Sequence, residues 1–158
     1  VLENLWGSKR FLIFYIICGL GAALIHLLFL SYEFIPLMKE YQEAISLHAN
    51  NGISEQAFIK ITTYYNAMIN TATLGASGAV FGVLAAFIYL FPNTYIYIYF
   101  LFPVKAKWIG LLYFGYELFF ALQNSAGDNV ARWAHIGGAI VGLLIVMTWN
   151  KTNKKSFY

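Results

Sequence analysis

The chain has 158 residues, of which 60% are hydrophobic, 19% aromatic and only 11% charged. Soluble domains are about 45–50% apolar and about 25% charged, so this composition excludes an ordinary water-soluble fold and also a disordered chain. The net charge of +3 comes from scattered basic residues, which argues against a nucleic-acid partner. The single cysteine, Cys18, excludes an internal disulfide, and no Cys/His cluster has metal-ligand spacing. We therefore expect one all-α integral membrane domain over residues 1–158, with no metal and no cofactor.

Four apolar segments are predicted to cross the bilayer, since a membrane helix needs about 20 mostly apolar residues. They cover residues 11–30, 74–91, 108–122 and 133–149. The segment 95–102 is also apolar but too short to cross, so we expect an aromatic interfacial segment that turns at Pro103.

The distribution of basic residues predicts how these four spans are oriented. If residues 1–10 are cytoplasmic, the inner segments carry seven Lys and Arg residues and the outer segments carry three. By the positive-inside rule, both ends of the chain face the cytoplasm. The sequence does not begin with Met or with a signal peptide, so we expect further sequence upstream.

An amphipathic insertion is predicted outside the membrane at about residues 34–70. Apolar residues recur at helical spacing from Phe34 onwards, and Asn50-Asn51-Gly52 is a turn signal. Ser54 is a suitable N-cap for a second helix. We expect two helices lying on the outer membrane surface. A short soluble hairpin packed on the spans is the alternative.

The second span opens with a small-residue motif around one serine. It contains Gly75, Ser77, Gly78 and Gly82, and Gly78-x-x-x-Gly82 is typical of close helix packing in lipid. A single serine in a membrane helix usually bonds to its own backbone. Taken alone, this motif predicts packing rather than chemistry.

The last span has a matching motif that includes a histidine. His135, Gly138 and Gly142 are spaced three and four residues apart, so they share one helical face. The glycines allow another backbone to approach, and an ionisable residue on such a face is a functional-site candidate. Ser77 and His135 both lie about 4–8 Å inside the outer ends of their spans. The predicted topology therefore places them at the same depth.

Together these motifs resemble the rhomboid intramembrane serine proteases of bacteria. The patterns are Gly-x-Ser-Gly-x-x-x-Gly and Ala-His-x-x-Gly-x-x-x-Gly, in this order. The resemblance covers the chain except about residues 35–70 and implies a six-helix core whose first two helices are absent here. The His and Asn that the family carries on its second core helix are therefore also absent. His26 imitates that spacing, but Leu30 stands in place of the Asn.

The resemblance implies an endopeptidase that cleaves transmembrane segments of membrane proteins inside the bilayer. Ser77 would be the nucleophile and His135 its general base, a dyad without a carboxylate. Phe81 would stack on the histidine or simply pack in the core. Five glycines would shape the oxyanion site and the helix contact: Gly75, Gly78, Gly82, Gly138 and Gly142. The implied location is the bacterial cytoplasmic membrane.

Two alternatives stay open at this point. One is a catalytically inactive rhomboid-like protein that binds or escorts membrane clients. The other is a transporter, although transporters commonly place polar groups near the midplane rather than near the outer surface. Glu117 lies inside a span and is predicted to have a structural role rather than a catalytic one, and Arg132 is predicted to be an interfacial anchor. The oligomeric state is left open.

Overall fold

The computed structural model describes residues 1–70, 76–98, 102–123 and 132–152. Within these residues the chain is mostly helical, as the sequence predicts. The elements are α1 (Leu2–Trp6), α2 (Ser8–Ala49), α3 (Glu55–Ile69), α4 (Ser77–Leu90), β1 (Tyr95–Ile98), β2 (Phe102–Lys105), α5 (Ala106–Gln123) and α6 (Arg132–Thr152). They form two compact units, one of Val1–His26 with Gly75–Tyr158 and one of Leu27–Leu74.

Two of the described helices are long and apolar enough to cross a membrane, judged by length and composition. They are α2 and the part of α6 from Arg132 to Asn150. Helix α4 is apolar but has 14 residues, and α5 has 18. The other two predicted spans lie on α4 and α5, so four crossings stay a prediction.

The first unit has a core in which α2, α4 and α6 meet. Phe14 and Cys18 of α2 and Val146 of α6 are its largest fully buried side chains. Trp6 and Trp149 pack around Phe14, with ring centroids 5.0 and 6.0 Å away. The other members of the buried cluster are Leu2, Ala79 and Ala86. Large apolar side chains elsewhere on α2, such as Leu20, are exposed, as expected for a surface in contact with lipid.

Helices α4 and α6 approach each other through four glycines. A Cβ at Gly138 would overlap the carbonyl oxygen of Gly78, and a Cβ at Gly142 would lie 2.5 Å from that of Gly82. On its other side, Gly82 faces the Cys18 thiol, 2.6 Å from where a Cβ would be. Because only glycine leaves room for backbone atoms at these positions, the two helices are in main-chain contact.

In the second unit, the predicted turn and helix cap are confirmed. Asn51 adopts a left-handed φ of 54°, and the Ser54 hydroxyl accepts a hydrogen bond from the Ala57 N–H at 3.3 Å. Tyr65 of α3 stacks on Tyr41 with ring centroids 4.1 Å apart. The sequence predicts a separate first outer helix, whereas the structure continues α2 through Pro36. A proline inside a helix removes one backbone hydrogen bond and crowds the carbonyl four residues earlier, but it does not always end the helix, and here α2 continues to Ala49.

A short antiparallel ribbon follows α4, where the sequence predicts only an interfacial segment. Strand β1 pairs with β2, with Tyr95 opposite Lys105 and Ile98 opposite Phe102. The alternation Tyr-Ile-Tyr-Ile is typical of a strand and could have predicted it. The ribbon is the one β element among the described residues, and it leads directly into α5.

Candidate active site

Ser77 and His135, which the sequence predicts to lie at the same depth, meet beside the glycine contact. The Nε2 atom of His135 lies 3.0 Å from the Oγ atom of Ser77. Ser77 is the first residue of α4 and directly precedes Gly78, while His135 lies one turn before Gly138 on α6. Since the backbones touch at these glycines, the side chains just before them are brought within hydrogen-bond distance. The His135 residue is only 9% exposed.

The start of α4 provides backbone donors next to the serine hydroxyl. Among the residues that the structure describes, the first hydrogen bond spanning a full helical turn at this end runs from the Val80 N–H to the Ala76 carbonyl, at 3.1 Å. The N–H groups of Ser77, Gly78 and Ala79 precede it, at the positive end of the helix dipole. Such groups can stabilise an oxyanion that forms at a carbonyl attacked by the serine. Gly75, which is predicted to belong to this site, lies outside the described residues.

Phe81 holds one face of the histidine ring. The two rings are parallel within 6° and their centroids are 4.0 Å apart. Behind it, Phe81 packs against the rings of Tyr113 and Phe114 of α5, at 5.2 and 5.8 Å. The Phe81 ring is thus buried and also stacks on His135, and its functional role stays a prediction.

If the pair has the endopeptidase activity that the sequence resemblance implies, Phe81→Leu is expected to lower kcat about 10-fold, because a stacked aromatic pair contributes about 0.5–1.5 kcal/mol. Leucine fills most of the volume but has no flat face to keep the imidazole in plane. The measurement is steady-state cleavage of a membrane substrate by the full-length protein. Phe87→Leu is the matched control, since Phe87 lies on the same helix and packs against Phe91 instead. An equal loss of activity in both variants would contradict a specific role for the stack.

Glu117 is the site residue whose contact the sequence does not predict. Its Oε2 atom lies 3.2 Å from the Nδ1 atom of His135, on the side of the ring opposite to Ser77. The residue is only 4% exposed. A carboxylate in an apolar span needs a buried partner, and both Glu117 and His135 lie in the outer halves of their predicted spans. That shared depth is the signal that could have pointed to the pair.

Arg132 makes a second contact with the same carboxylate oxygen. Its Nη1 atom lies 3.5 Å from Oε2 of Glu117, and both side chains are largely buried. The guanidinium carbon also lies 5.5 Å from the ring centre of Tyr116 and 5.2 Å from that of Phe120. The predicted interfacial anchor is thus an ion-pair partner of Glu117, stabilised by two aromatic faces.

An apolar groove of about 530 Å³ lies between α4 and α5, away from the serine. Ala85, Ile88, Leu111 and Phe114 are among its lining residues. Ala85 is eight residues after Ser77, about 12 Å further along the helix.

Among the described residues, no group of three or more His, Cys, Asp or Glu side chains could hold a metal ion.

The Rhomboid domain family matches residues 1–151 of the chain. The chain belongs to the rhomboid family. Rhomboid protein 1, mitochondrial, of Saccharomyces cerevisiae is 36% identical to it over 110 residues, which are 63% of this chain and 29% of that protein. RHOMBOID-like protein 12, mitochondrial, of Arabidopsis thaliana is 32% identical over 87 residues, which are 55% of this chain and 24% of that protein. No solved structure matches this rhomboid chain.

These relatives agree with the family that the two motifs indicate, but they match only part of their own length and do not share its predicted bacterial type. This rhomboid chain spans less than a third of the length of either relative. Both relatives carry mitochondrial names and come from eukaryotes, so they do not support the bacterial type. Family membership makes this rhomboid an integral membrane protein.

Proposed function

We propose that this rhomboid chain carries the catalytic serine and histidine of an intramembrane serine endopeptidase. The observation that carries the proposal is the 3.0 Å contact between Ser77 Oγ and His135 Nε2. A serine hydroxyl becomes a strong nucleophile only when a base within hydrogen-bond reach takes its proton. An imidazole is the side chain best suited to that role near neutral pH.

The residues support an acyl-transfer sequence with every proton accounted for. His135 Nε2 takes the Ser77 proton while Oγ attacks the peptide carbonyl, and the developing oxyanion faces the N–H groups at the start of α4. His135 then gives this proton to the leaving amine, which breaks the C–N bond and leaves an acyl group on Ser77. A water molecule then gives a proton to His135 and attacks the acyl group, and His135 returns that proton to Ser77 Oγ as the ester C–O bond breaks and the carboxyl product leaves.

Membrane proteins are the substrate class that this proposal favours. The serine and the histidine lie on apolar helices of an integral membrane family, and α4, α5 and α6 carry exposed apolar side chains. A substrate must reach such a site from within the bilayer, so transmembrane segments are the natural peptides. The proposed orientation, from the positive-inside rule, puts both ends of this chain on the cytoplasmic side.

Two membranes are proposed as the location of this rhomboid. The sequence predicts the bacterial cytoplasmic membrane, whereas the relatives named above are mitochondrial. A mitochondrial membrane is the alternative location, and fluorescence microscopy of the tagged protein in its own cells distinguishes the two. Neither location changes the residues proposed for catalysis.

A serine-directed fluorophosphonate tests the proposal directly. With the full-length protein in detergent, we expect covalent labelling at Ser77, located by peptide mass spectrometry. His135→Ala should slow the labelling at least about 100-fold, because the hydroxyl loses its base. Heat-denatured protein is the control for unspecific reaction. A folded protein that is not labelled at Ser77 would favour the alternative, a catalytically inactive rhomboid-like protein that binds or escorts membrane clients.

A further inference from the structure

The imidazole of His135 is held at both nitrogens, although a dyad requires a contact at only one. Nε2 faces the Ser77 hydroxyl at 3.0 Å and Nδ1 faces the Glu117 carboxylate at 3.2 Å. Glu117 is on α5, whereas the serine and histidine are on α4 and α6. The third helix therefore supplies a carboxylate to a site that the sequence predicts to have none.

We propose that Glu117 is a positioning residue that fixes the tautomer and orientation of His135, an inference that rests on the proposed function of the Ser77–His135 pair. A neutral imidazole carries its proton on one nitrogen, and only the other nitrogen can act as a base. If Nδ1 donates to Glu117, the lone pair of Nε2 is left to accept the Ser77 proton. The opposite tautomer would point an N–H at the serine and could not activate it.

Arg132 strengthens this assignment because of what its side chain can do. A guanidinium has donors and no acceptor, so Oε2 of Glu117 must accept from Arg132. The same oxygen faces His135 Nδ1, and as a carboxylate acceptor it receives that N–H as well. The ion pair with Arg132 thus holds Oε2 of Glu117 in a position where it can accept a hydrogen bond from His135 Nδ1.

The contacts around the ring leave it little freedom to turn. Phe81 lies parallel to the imidazole and blocks tilting, while the bonds at Nδ1 and Nε2 block rotation within the ring plane. As Ser77 attacks, the ring gains a proton and a positive charge, which the nearby carboxylate stabilises. Glu117 acts on the reaction through His135 and does not touch the substrate.

The test replaces Glu117 in the full-length protein and follows His135 by ¹⁵N NMR as well as by kinetics. Selective ¹⁵N-histidine labelling and comparison with His135→Ala identify the His135 signals. In the wild type at neutral pH we expect Nδ1 to be the protonated nitrogen. In Glu117→Leu we expect a mixture of tautomers. Glu117→Gln should keep the wild-type tautomer, because the amide oxygen still accepts a hydrogen bond.

The value of kcat should fall as the hydrogen-bond acceptor at position 117 is weakened, from the carboxylate of the wild type to the amide of Glu117→Gln and then to Glu117→Leu, which has none. Replacing the carboxylate of a soluble catalytic triad by an amide lowers kcat about 10⁴-fold, because the amide N–H favours the wrong tautomer. Here Arg132 donates to the position of Oε2 and favours the amide oxygen of Glu117→Gln at that position, so the loss should be smaller. Here we expect kcat to fall about 100-fold or more in Glu117→Leu and about 10-fold in Glu117→Gln, with KM changed less than about 3-fold. A loss confined to kcat separates positioning from a general weakening of the fold, which thermal unfolding monitors in parallel.

Arg132→Gln is the comparison for a purely structural ion pair. It removes the charge partner but leaves the Glu117 carboxylate facing His135, so we expect a smaller loss of kcat than in Glu117→Leu and an unchanged tautomer. If Glu117→Leu fails to fold, Glu117→Ala takes its place in the comparison with Arg132→Gln, because alanine also removes the hydrogen-bond acceptor at Nδ1 of His135. Equal losses in these variants, or a His135 tautomer that does not depend on Glu117, would overturn the inference.

The two readouts also separate this inference from the proposed function. An enzyme that cleaves its substrate but whose kcat and His135 tautomer ignore Glu117 would leave the proposed function intact and remove the positioning role. A protein that never labels at Ser77, yet whose His135 tautomer follows Glu117, would remove the proposed activity while supporting the geometric part of the inference.

Discussion

Replacing either Ser77 or His135 with alanine is expected to abolish cleavage of a membrane substrate by the full-length protein. In a soluble serine protease, loss of the nucleophile or of its base lowers kcat about 10⁶-fold, because the two residues act as one unit. The 3.0 Å contact between them supports the same dependence here. The measurement is the rate of product formation in liposomes that contain a single-pass substrate. The double variant should lose no more activity than either single variant.

Two matched controls come from residues of the same types elsewhere in the chain. Ser31→Ala removes a hydroxyl that bonds back to the Leu27 carbonyl of its own helix, and His48→Ala removes a ring stacked on Phe58. Both should keep wild-type cleavage. Retained cleavage in Ser77→Ala or His135→Ala would remove the assignment of the pair.

Substitution of Gly138 by leucine is expected to inactivate and destabilise the protein. Even the Cβ of the new side chain would overlap the Gly78 carbonyl oxygen, and backbone atoms cannot rotate away as a side chain can. Overpacking a core typically costs about 1–3 kcal/mol, and we expect at least the upper end here. Gly138→Ala should show a smaller effect in the same direction. Thermal unfolding in detergent and substrate cleavage measure the two consequences.

Gly115→Ala is the control for these variants. Gly115 also lies within a helix, α5, but a Cβ there would meet nothing within 4 Å. Alanine is a better helix former than glycine by up to about 1 kcal/mol, so this variant should be as stable as the wild type or slightly more stable. If Gly138→Leu matched Gly115→Ala in stability and activity, α4 and α6 could not touch at Gly78 in the folded protein.

The pairing of Ser77 with His135 could be predicted because each lies on a glycine-lined helix face. The depth of each below the outer membrane surface also follows from its number of residues from the end of its span. Periodicity fixes which residues share a face, and charge fixes the direction of each span, so two motifs on different helices can be matched. Glu117 could not be placed in the same way. Its buried face on α5 also carries the small residues Ala106, Gly110 and Ala121, but no motif in the sequence shows which helix that face meets. Only the packed structure gives that contact.

Local signals also had limits in the second unit and in the ribbon. Ser54 and Asn51 are strong local signals for a cap and a turn, and both are found in the structure. Pro36 is an ambiguous signal, because an interior proline can either break a helix or be accommodated within it at the cost of a hydrogen bond and a local clash. The sequence does not distinguish strand β1 from an interfacial segment, because a short apolar run rich in tyrosine is typical of both.

The main-chain contact between α4 and α6 has a consequence for how the protein can diversify. The distance from Ser77 to His135 depends on two backbones that touch at glycines, where backbone atoms of one helix meet backbone atoms of the other. Outward-facing positions on the same helices, such as Val80 and Leu144, are exposed and take no part in that contact. Mutations there can adapt the surface to another lipid or another client protein while the reacting atoms keep their spacing.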